Sequence, residues 1–544
     1  MNTRQLQTDK NQKLYHALLG ILLVCALAMM MLLSYWACKY SYYGAVDGRT
    51  RGVLVGDKTW AHIAVFLAAS LCTMGIDKVL MKKDKSQQEK ICLCTLIVTS
   101  VIAFTLGVFY VCKNPYYPVG DQINTTAFAA YCRDGNFSML SIGGYVGMYQ
   151  QQKGLAILYE ILFTLFGDFN YRPAKILHVV WWILTILAGY GFLKLNTDRP
   201  VFRMLYCVMM LGCFPLLFYL PYIYGDVLSI SFGIILFYGV AAYEHSGQKR
   251  YIALASFAAG LAVLARKNTW IVLVAVAVYV LLVSLRKKKV RYLMAGTAIL
   301  LTAALSVKAV DVIYEVRSGY PSGVGVPSIL WVAMGLQETE GRAGVYNRYQ
   351  QATFTDYDCQ QELAAQQGKE YIRERLEEFS QDPGMAFDFF KNKLEGQWIE
   401  PMYAALESTE SFEEGAELSP VLESLYYGEL GRTIWKLTNY YQSILYLAGL
   451  MALVMLGILW WKKKEVPISL WLPWIAVFGG FLFSILWEAK SRYVFPYCVF
   501  MILYAPEGLY QTGLLLCKLP KLRKFKKSGH TQDKGEEASL RETA

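Results

Sequence analysis

The sequence predicts an all-α polytopic membrane protein with about twelve transmembrane helices. Of its 544 residues, 55% are hydrophobic and only 17% are charged, a composition that is rare in water-soluble domains. The charges lie in short blocks between apolar stretches of about twenty residues, the length of helix that crosses about 30 Å of hydrocarbon. Because basic blocks such as 286–289 and 462–464 end these stretches, the net charge of +11 indicates membrane topology and no binding to nucleic acid.

Twelve apolar segments are candidate spans. They are 15–36, 59–80, 91–112, 174–195, 203–221, 226–243, 249–265, 269–285, 292–314, 436–461, 467–487 and 494–516. An even number of crossings returns the chain to its starting side, and this arrangement puts the densest basic clusters inside the cell. We therefore expect a multi-pass protein of the cell membrane, surrounded by membrane lipids, with cytoplasmic N- and C-termini.

The segment 154–166 decides this topology. It is apolar but only about thirteen residues long, and runs of that length are more often interfacial or buried than spanning. If it crossed the bilayer, every later loop would change sides and the basic block 286–289 would lie outside. We therefore expect an interfacial helix in the first long outer loop.

The distribution of apolar and charged residues divides the chain into five parts. The 21 acidic and 9 basic residues of 315–435 indicate a water-facing outer domain. Apolar residues at helical spacing in 364–394, interrupted by Pro383-Gly384, predict that this domain is mostly helical. The expected parts are a two-span extension (1–90), core spans (91–314) with an outer catalytic loop (113–172), the acidic domain (315–435), three C-terminal spans (436–516) and a basic, partly disordered cytoplasmic tail (517–544).

Ionisable residues at the ends of the spans are the candidate functional residues. Each is costly near lipid and persists mainly where it lines a cavity or a substrate path. Asp121, within Gly120-Asp121-Gln122, is placed to act as a general base or to hold a cation, and the alternative is a helix cap. Asp226 follows the turn 221–225, where the alternative is an aromatic belt with Asp226 capping the next helix.

Cations lie at the same predicted face. Arg266-Lys267-Asn268 falls between two spans, on the side where positive charge is disfavoured, and Arg492 lies in the turn between the last two spans. Such cations suit a lipid phosphate or pyrophosphate, which arginine binds through two parallel hydrogen bonds. The alternatives are snorkelling to phospholipid headgroups and, for Arg492, an ion pair with Glu488.

The order of these groups resembles the GT-C glycosyltransferase superfamily, in particular a Gram-positive branch of it. In that superfamily a first long outer loop carries the essential acidic residue, and seven core spans precede a later outer loop. In this chain the acidic segment follows the seventh span, counted from the third. The resemblance covers about residues 91–516 and runs through Gly120-Asp121-Gln122, 143–152, Leu165-Phe166-Gly167, Tyr224-Gly225-Asp226, Arg266-Lys267-Asn268, Met334-Gly335-Leu336, Gly344-Val345-Tyr346-Asn347, Trp398-Ile399-Glu400-Pro401 and 488–493.

This resemblance implies the transfer of a sugar from a polyprenyl-phosphate or pyrophosphate carrier to an acceptor at the outer membrane face. It implies that Asp121 is the base. A divalent cation, Mg²⁺ or Mn²⁺, held by Asp121 and Asp226 stays open, because one acidic residue replaces the paired acidic motif of many members. The implied site is catalytic Asp121 and Asp226, donor phosphate-binding Arg266, Lys267 and Arg492, and supporting Lys153, Tyr224, Asn268 and Glu488.

Two functions of other classes stay open on the sequence. A transporter or flippase for a lipid-linked substrate is expected to show internal repeats and broken helices in matching halves. A non-catalytic envelope scaffold would use Asp121 only as a cap. The acceptor, whether glycan, polymer, lipid or protein, is not indicated by the sequence.

Overall fold

The computed structural model describes residues 3–43, 53–322, 325–464 and 466–518, with side chains from residue 12 onward. The tail from residue 519, predicted to be basic and partly disordered, lies outside the described residues. The first helices, in chain order, are α1 (Thr3–Lys39), α2 (Thr59–Leu80), α3 (Lys85–Lys113), α4 (Asp121–Arg133), α5 (Tyr145–Met148), α6 (Lys153–Phe166), α7 (Arg172–Asn196), α8 (Pro200–Leu211), α9 (Phe214–Phe218), α10 (Asp226–Ser246), α11 (Lys249–Ala265) and α12 (Trp270–Lys287).

Eleven further helices follow α12 in the described residues. They are α13 (Arg291–Ser318), α14 (Ser328–Gly335), α15 (Tyr349–Asp356), α16 (Gln361–Gln381), α17 (Pro383–Trp398), α18 (Ala405–Ser408), α19 (Pro420–Tyr427), α20 (Glu429–Trp461), α21 (Leu472–Leu486), α22 (Ser491–Met501) and α23 (505–518). Two antiparallel hairpins accompany them, β1 (Tyr40–Tyr43) with β2 (Val53–Gly56) and β3 (Glu338–Thr339) with β4 (Arg342–Ala343).

The chain is an all-α polytopic membrane protein. In lipid a helix satisfies all its backbone polar groups internally, so long apolar helices are the elements that span. Nine helices of the described residues are long and apolar enough to cross a membrane, and they coincide with nine of the predicted spans. They are Gln12–Lys39, Thr59–Leu80, Lys85–Lys113, Arg172–Asn196, Asp226–Ser246, Lys267–Lys287, Arg291–Ser318, Glu429–Trp461 and Ile468–Leu486.

The other three predicted spans are shorter or broken. In 203–221 the helix stops at Leu211, and a separate short helix with Pro215 in its first turn follows. Proline cannot donate the backbone hydrogen bond that would continue the first helix, which accounts for the break. The span 249–265 corresponds to α11, which has 17 residues, and 494–516 is divided by a turn at 502–504. The total of twelve crossings therefore stays a prediction.

The segment 154–166 forms α6, a helix of 14 residues. At a rise of 1.5 Å per residue it extends about 21 Å, which is less than the hydrocarbon core of a bilayer. Two ion pairs tie it to α13: Lys153 Nζ lies 2.5 Å from Asp311 Oδ1, and Arg317 Nη2 lies 2.6 Å from Glu160 Oε1. Its interfacial position stays a prediction that this length favours.

The acidic segment 315–435 contains the helices that its periodicity predicts. The Asp382 side chain accepts a hydrogen bond from Met385 N and so caps α17, which begins at the predicted break. The C-terminal end of α17 is buried in the bundle, where Trp398 is fully inaccessible to solvent and its Nε1 donates to Ser484 Oγ at 3.0 Å. Tyr446 of α20 donates to the Trp398 carbonyl at 2.6 Å, so this segment packs directly on the spanning helices.

Several helix ends meet at one end of the bundle. The start of α10 touches the end of α11, because a Cβ on Gly225 would lie 2.0 Å from the Ala265 carbonyl oxygen. The Gly344 carbonyl, after the β3–β4 hairpin, accepts from Ala489 N at 2.7 Å. This contact joins the acidic segment to the connection between α21 and α22. Most of the predicted functional residues lie around these junctions.

Candidate active site

A cavity of about 940 Å³ opens at this end of the bundle. Five regions of the chain line it: the start of α4, the segment before α6, the ends of α9 to α12, the acidic segment, and the connection between α21 and α22. The lining includes six Lys or Arg side chains and four Asp or Glu side chains. The predicted residues on its wall are Asp121, Tyr224, Arg266, Lys267, Asn268, Glu488 and Arg492.

Asp121 is an exposed carboxylate on the cavity wall. It is the first residue of α4, after Gly120, whose φ of +59° lies in a region that residues with a side chain rarely adopt. The Asp121 side chain makes no capping bond, so the cap considered on the sequence is not the contact observed. Tyr145 Oη donates to Asp121 Oδ1 at 2.8 Å. Burial and the Asp121 charge raise the pKa of Tyr145, which therefore stays a proton donor to this carboxylate.

Asp226 lies behind the wall and holds two arginines. Its carboxylate accepts a hydrogen bond from Arg266 Nη1, and Arg492 Nε lies 3.9 Å from the same oxygen, Oδ1. The side chains of Asp226, Arg266 and Arg492 are 2%, 9% and 6% exposed. Gly225 makes this contact possible, because a larger residue would separate the start of α10 from Ala265 and Arg266.

The arginines are also held by aromatic rings. Arg492 Nη1 donates to Tyr222 Oη, and its guanidinium lies 5.2 Å from the centroid of the Tyr222 ring. Arg266 lies 5.9 Å from the ring of Tyr224 and 5.3 Å from that of Tyr493. A cation over an aromatic face is attracted by the negative charge of that face. Two guanidinium groups are thus fixed at the base of the cavity.

Further cations on the wall form no ion pair with a carboxylate of a described residue. Lys267, Arg348 and Lys490 line the cavity, and no carboxylate of a described residue lies within 4.0 Å of their nitrogen atoms. Arg492 is paired with Asp226 and not with Glu488, which was the alternative on the sequence. The cavity therefore offers cations to a ligand that enters it.

Glu488 is a buried carboxylate on the same wall. Tyr493 Oη donates to its Oε2 at 3.2 Å. Burial raises the pKa of Glu488, and the charge of Asp121 adds to this rise while Lys490 opposes it. Glu488 and Asp121 are therefore close enough to influence each other.

The structure does not bring Lys153 to the cavity. Its side chain is 2% exposed, pairs with Asp311, and donates to Ser322 Oγ at 2.9 Å. This contact places Lys153 between α6 and α13. A supporting role at the phosphate would require that pair to break.

A divalent cation held by Asp121 and Asp226 stays a prediction. The Asp226 carboxylate is buried and its Oδ1 faces two guanidinium groups. Within the described residues, no cluster of three or more His, Cys, Asp and Glu side chains is arranged to hold a metal ion. The carboxylates on the wall are Asp121, Glu340, Glu407 and Glu488.

Other residues at the site have no clear signal in the sequence. Lys393 of α17 is 1% exposed and donates to the Gly335 carbonyl at 2.5 Å. Burial lowers the pKa of Lys393 to about 7, against the opposing charge of Glu488. A row of rings, Tyr145, Tyr149, Trp331 and Trp487, also lines the cavity. Its two tyrosines lie within the motif 143–152, but the tryptophans are more than 150 residues away along the chain.

No protein-family model matches this chain, and neither the curated proteins nor the solved structures contain a significant match to it.

Proposed function

We propose that the chain is a glycosyltransferase of the GT-C type, which moves a sugar from a polyprenyl-phosphate or pyrophosphate carrier to an acceptor. One observation carries this proposal. An exposed carboxylate, Asp121, shares a cavity with Arg266, Lys267 and Arg492 at the end of the spanning helices. A base and a set of cations around one space are what sugar transfer from a phosphate carrier requires.

The donor side of the cavity is the cluster of cations. A polyprenyl carrier cannot leave the bilayer, so its phosphate must be met at the level of the helix ends. Lys267 begins a candidate span and Arg266 directly follows α11, which puts both at that level. Asp226 acts in this proposal as a positioning residue, because it fixes the guanidinium groups of Arg266 and Arg492 without reaching the cavity.

The reaction uses Asp121 as general base. The acceptor hydroxyl oxygen attacks the anomeric carbon of the donor sugar, and Asp121 accepts the hydroxyl proton. The bond between the anomeric carbon and the phosphate oxygen breaks, and its electron pair leaves with the carrier phosphate. The cations stabilise the negative charge that develops on this phosphate. Tyr145 holds the Asp121 carboxylate in place through the hydrogen bond to Oδ1.

The proposal places the cavity at the outer face of the cell membrane. This side follows from the predicted twelve crossings, which leave both termini and the densest basic clusters in the cytoplasm. The acidic segment 315–435 then faces the outside and contributes to the cavity wall. The acceptor would reach the site from this side, and the carrier from the bilayer.

The test is the Asp121→Asn variant of the full chain in proteoliposomes that contain synthetic polyprenyl-phosphate hexoses and a cell-envelope acceptor extract. We expect the release of polyprenyl phosphate to fall by about 10²–10⁴-fold, the range that a general base supplies. Asp134→Asn is the matched control, because Asp134 is exposed at the other end of α4 and does not line the cavity.

The same experiment separates the other functions. If the wild type releases polyprenyl phosphate and Asp121→Asn releases it equally fast, the role of Asp121 is refuted. A flippase would move the lipid-linked sugar across the bilayer and leave the anomeric bond intact, and a scaffold would do neither. Matching unfolding curves for the two Asp→Asn variants would show that a loss of release is not a loss of folding.

A further inference from the structure

The motif 344–347 has no role in the proposed reaction, yet it leads into the cavity. The Asn347 side chain donates to Gln337 Oε1 at 2.6 Å and to Thr339 Oγ1 at 3.1 Å, and it accepts from Tyr349 N at 3.0 Å. These bonds fix the turn after the β3–β4 hairpin. The next residue, Arg348, has a φ of +67° and its exposed side chain lines the cavity.

Arg348 is unusual for the segment that supplies it. The acidic segment 315–435 has 21 acidic and 9 basic residues, so most of its charged side chains are carboxylates. No carboxylate of a described residue lies within 4.0 Å of the Arg348 guanidinium. An exposed arginine inside a cavity, without a carboxylate partner, is suited to bind an anionic group of a ligand.

A row of aromatic rings on the cavity wall begins at Asp121. Tyr145, which donates to Asp121, lies 5.1 Å from Tyr149 between ring centroids, and Tyr149 lies 6.2 Å from Trp331. Trp331 and Trp487 are parallel, with an angle of 6° and centroids 5.8 Å apart. All four rings are partly exposed, and such flat apolar surfaces pack against the C–H face of a sugar ring.

Asp121 is within electrostatic reach of two different surfaces. Tyr224 is within electrostatic reach of Asp121 and of Arg266, on the side of the donor cations. Tyr346, just before Arg348, is within electrostatic reach of Asp121, Glu488 and Arg348. The base of a transfer reaction has to lie between donor and acceptor, so the second surface is the place for the acceptor.

We propose that the aromatic row and Arg348 form the acceptor subsite, and that the acceptor is an acidic saccharide. Its sugar ring packs on the surface of Trp331 and Trp487, and its phosphate or carboxylate group pairs with Arg348. The identification of the bound sugar as the acceptor rests on the proposed function. The binding of an acidic sugar to this surface is independent of catalysis.

The test is equilibrium binding to the full chain in nanodiscs of zwitterionic lipid, without a lipid-linked donor. The probes are glucose, glucose 6-phosphate and glucuronate, and saturation-transfer NMR measures their binding. We expect at least one acidic sugar to bind about tenfold more tightly than glucose, the effect of one charge-assisted hydrogen bond. The acid that binds more tightly identifies the anionic group as phosphate or carboxylate.

Variants locate the binding. Arg348→Gln is expected to reduce the affinity of the acidic sugar to that of glucose, and Arg348→Lys to keep part of the preference. Trp331→Leu is expected to weaken all three probes. Arg373→Gln is the matched control, since Arg373 is 69% exposed on α16 and does not line the cavity.

Two results would overturn the inference. One is equal affinity for glucose and both acidic sugars. The other is a preference for acidic sugars that Arg266→Gln removes and Arg348→Gln leaves intact, because the probe would then occupy the donor cations. Unchanged release in Asp121→Asn would remove Asp121 as the base, and absence of release by the wild type would remove the transferase. Either result would leave this binding result standing, so the two proposals can fail separately.

Discussion

The buried contact among Asp226, Arg266 and Arg492 predicts a large loss of stability in Asp226→Asn. Asparagine keeps nearly the same shape but removes the negative charge. The Asp226 side chain is 2% exposed and the two arginine side chains are 9% and 6% exposed, so the contact between them is largely shielded from water. The variant leaves two buried guanidinium groups without their counter-charge.

Breaking a buried ion pair by removing one partner costs about 3–5 kcal/mol. With 1.4 kcal/mol for each factor of ten, this cost is about a 10²- to 4 × 10³-fold decrease in the folding equilibrium constant. The matched control is Glu377→Gln on α16, the same change from carboxylate to amide. Its partner is Arg373 at 3.9 Å, and the two side chains are 64% and 69% exposed. An exposed pair of this kind contributes about 0–1 kcal/mol.

The assay is the free energy of unfolding in mixed micelles titrated with SDS and followed by circular dichroism. Arg266→Gln and the double variant with Asp226→Asn complete a double-mutant cycle. We expect a coupling energy of about 1–3 kcal/mol, because residues in one buried network do not act additively. The reasoning would be refuted if Asp226→Asn cost no more than Glu377→Gln, or if the two single effects simply added.

Two more variants test the surroundings of the cavity. Gly225→Ala is expected to destabilise the protein by about 1–3 kcal/mol, because its Cβ would lie 2.0 Å from the Ala265 carbonyl oxygen and force α10 away from α11. The control is Gly75→Ala, since the Cβ of this variant would lie in open space. Equal free energies of unfolding for the two variants would contradict the close approach of α10 and α11. Lys393→Met tests a lysine whose pKa burial lowers to about 7. Between about pH 7 and its ordinary value of 10.5, the unfolded state binds more protons at Lys393 than the folded state, so the wild type gains about 1.4 kcal/mol per pH unit relative to the variant. Parallel unfolding energies of wild type and variant across this range would contradict the prediction.

The spans show which parts of the fold follow from composition. A helix such as Lys85–Lys113 is recognised from its apolar length alone, because the bilayer requires a minimum length and excludes charges. The segment 203–221 has a similar composition, but Pro215 and the preceding turn divide it. Hydropathy averages over such a break, so it predicts an apolar segment and not the number of crossings.

The acidic segment shows a second limit. Its helical periodicity predicts α16 and α17 correctly, since the pattern of polar and apolar residues is local. Its charge predicts a water-facing domain, which stays a prediction, and gives no sign that Trp398 at the end of α17 is buried against Ser484 and Tyr446 of the bundle. One tryptophan among many carboxylates carries no signal that it inserts between distant helices.

The sequence by itself determined the membrane class of this protein, its long apolar helices, and the polar residues that interrupt them, because the bilayer acts on each segment separately. Only the tertiary structure decided which of those residues share a cavity. It put Asp121, Arg266, Lys267 and Arg492 around one space, Asp226 behind that space, and Lys153 in a pair with Asp311. These positions depend on contacts between helix ends that lie far apart in the chain, such as Gly225 against Ala265, and local composition contains no record of them.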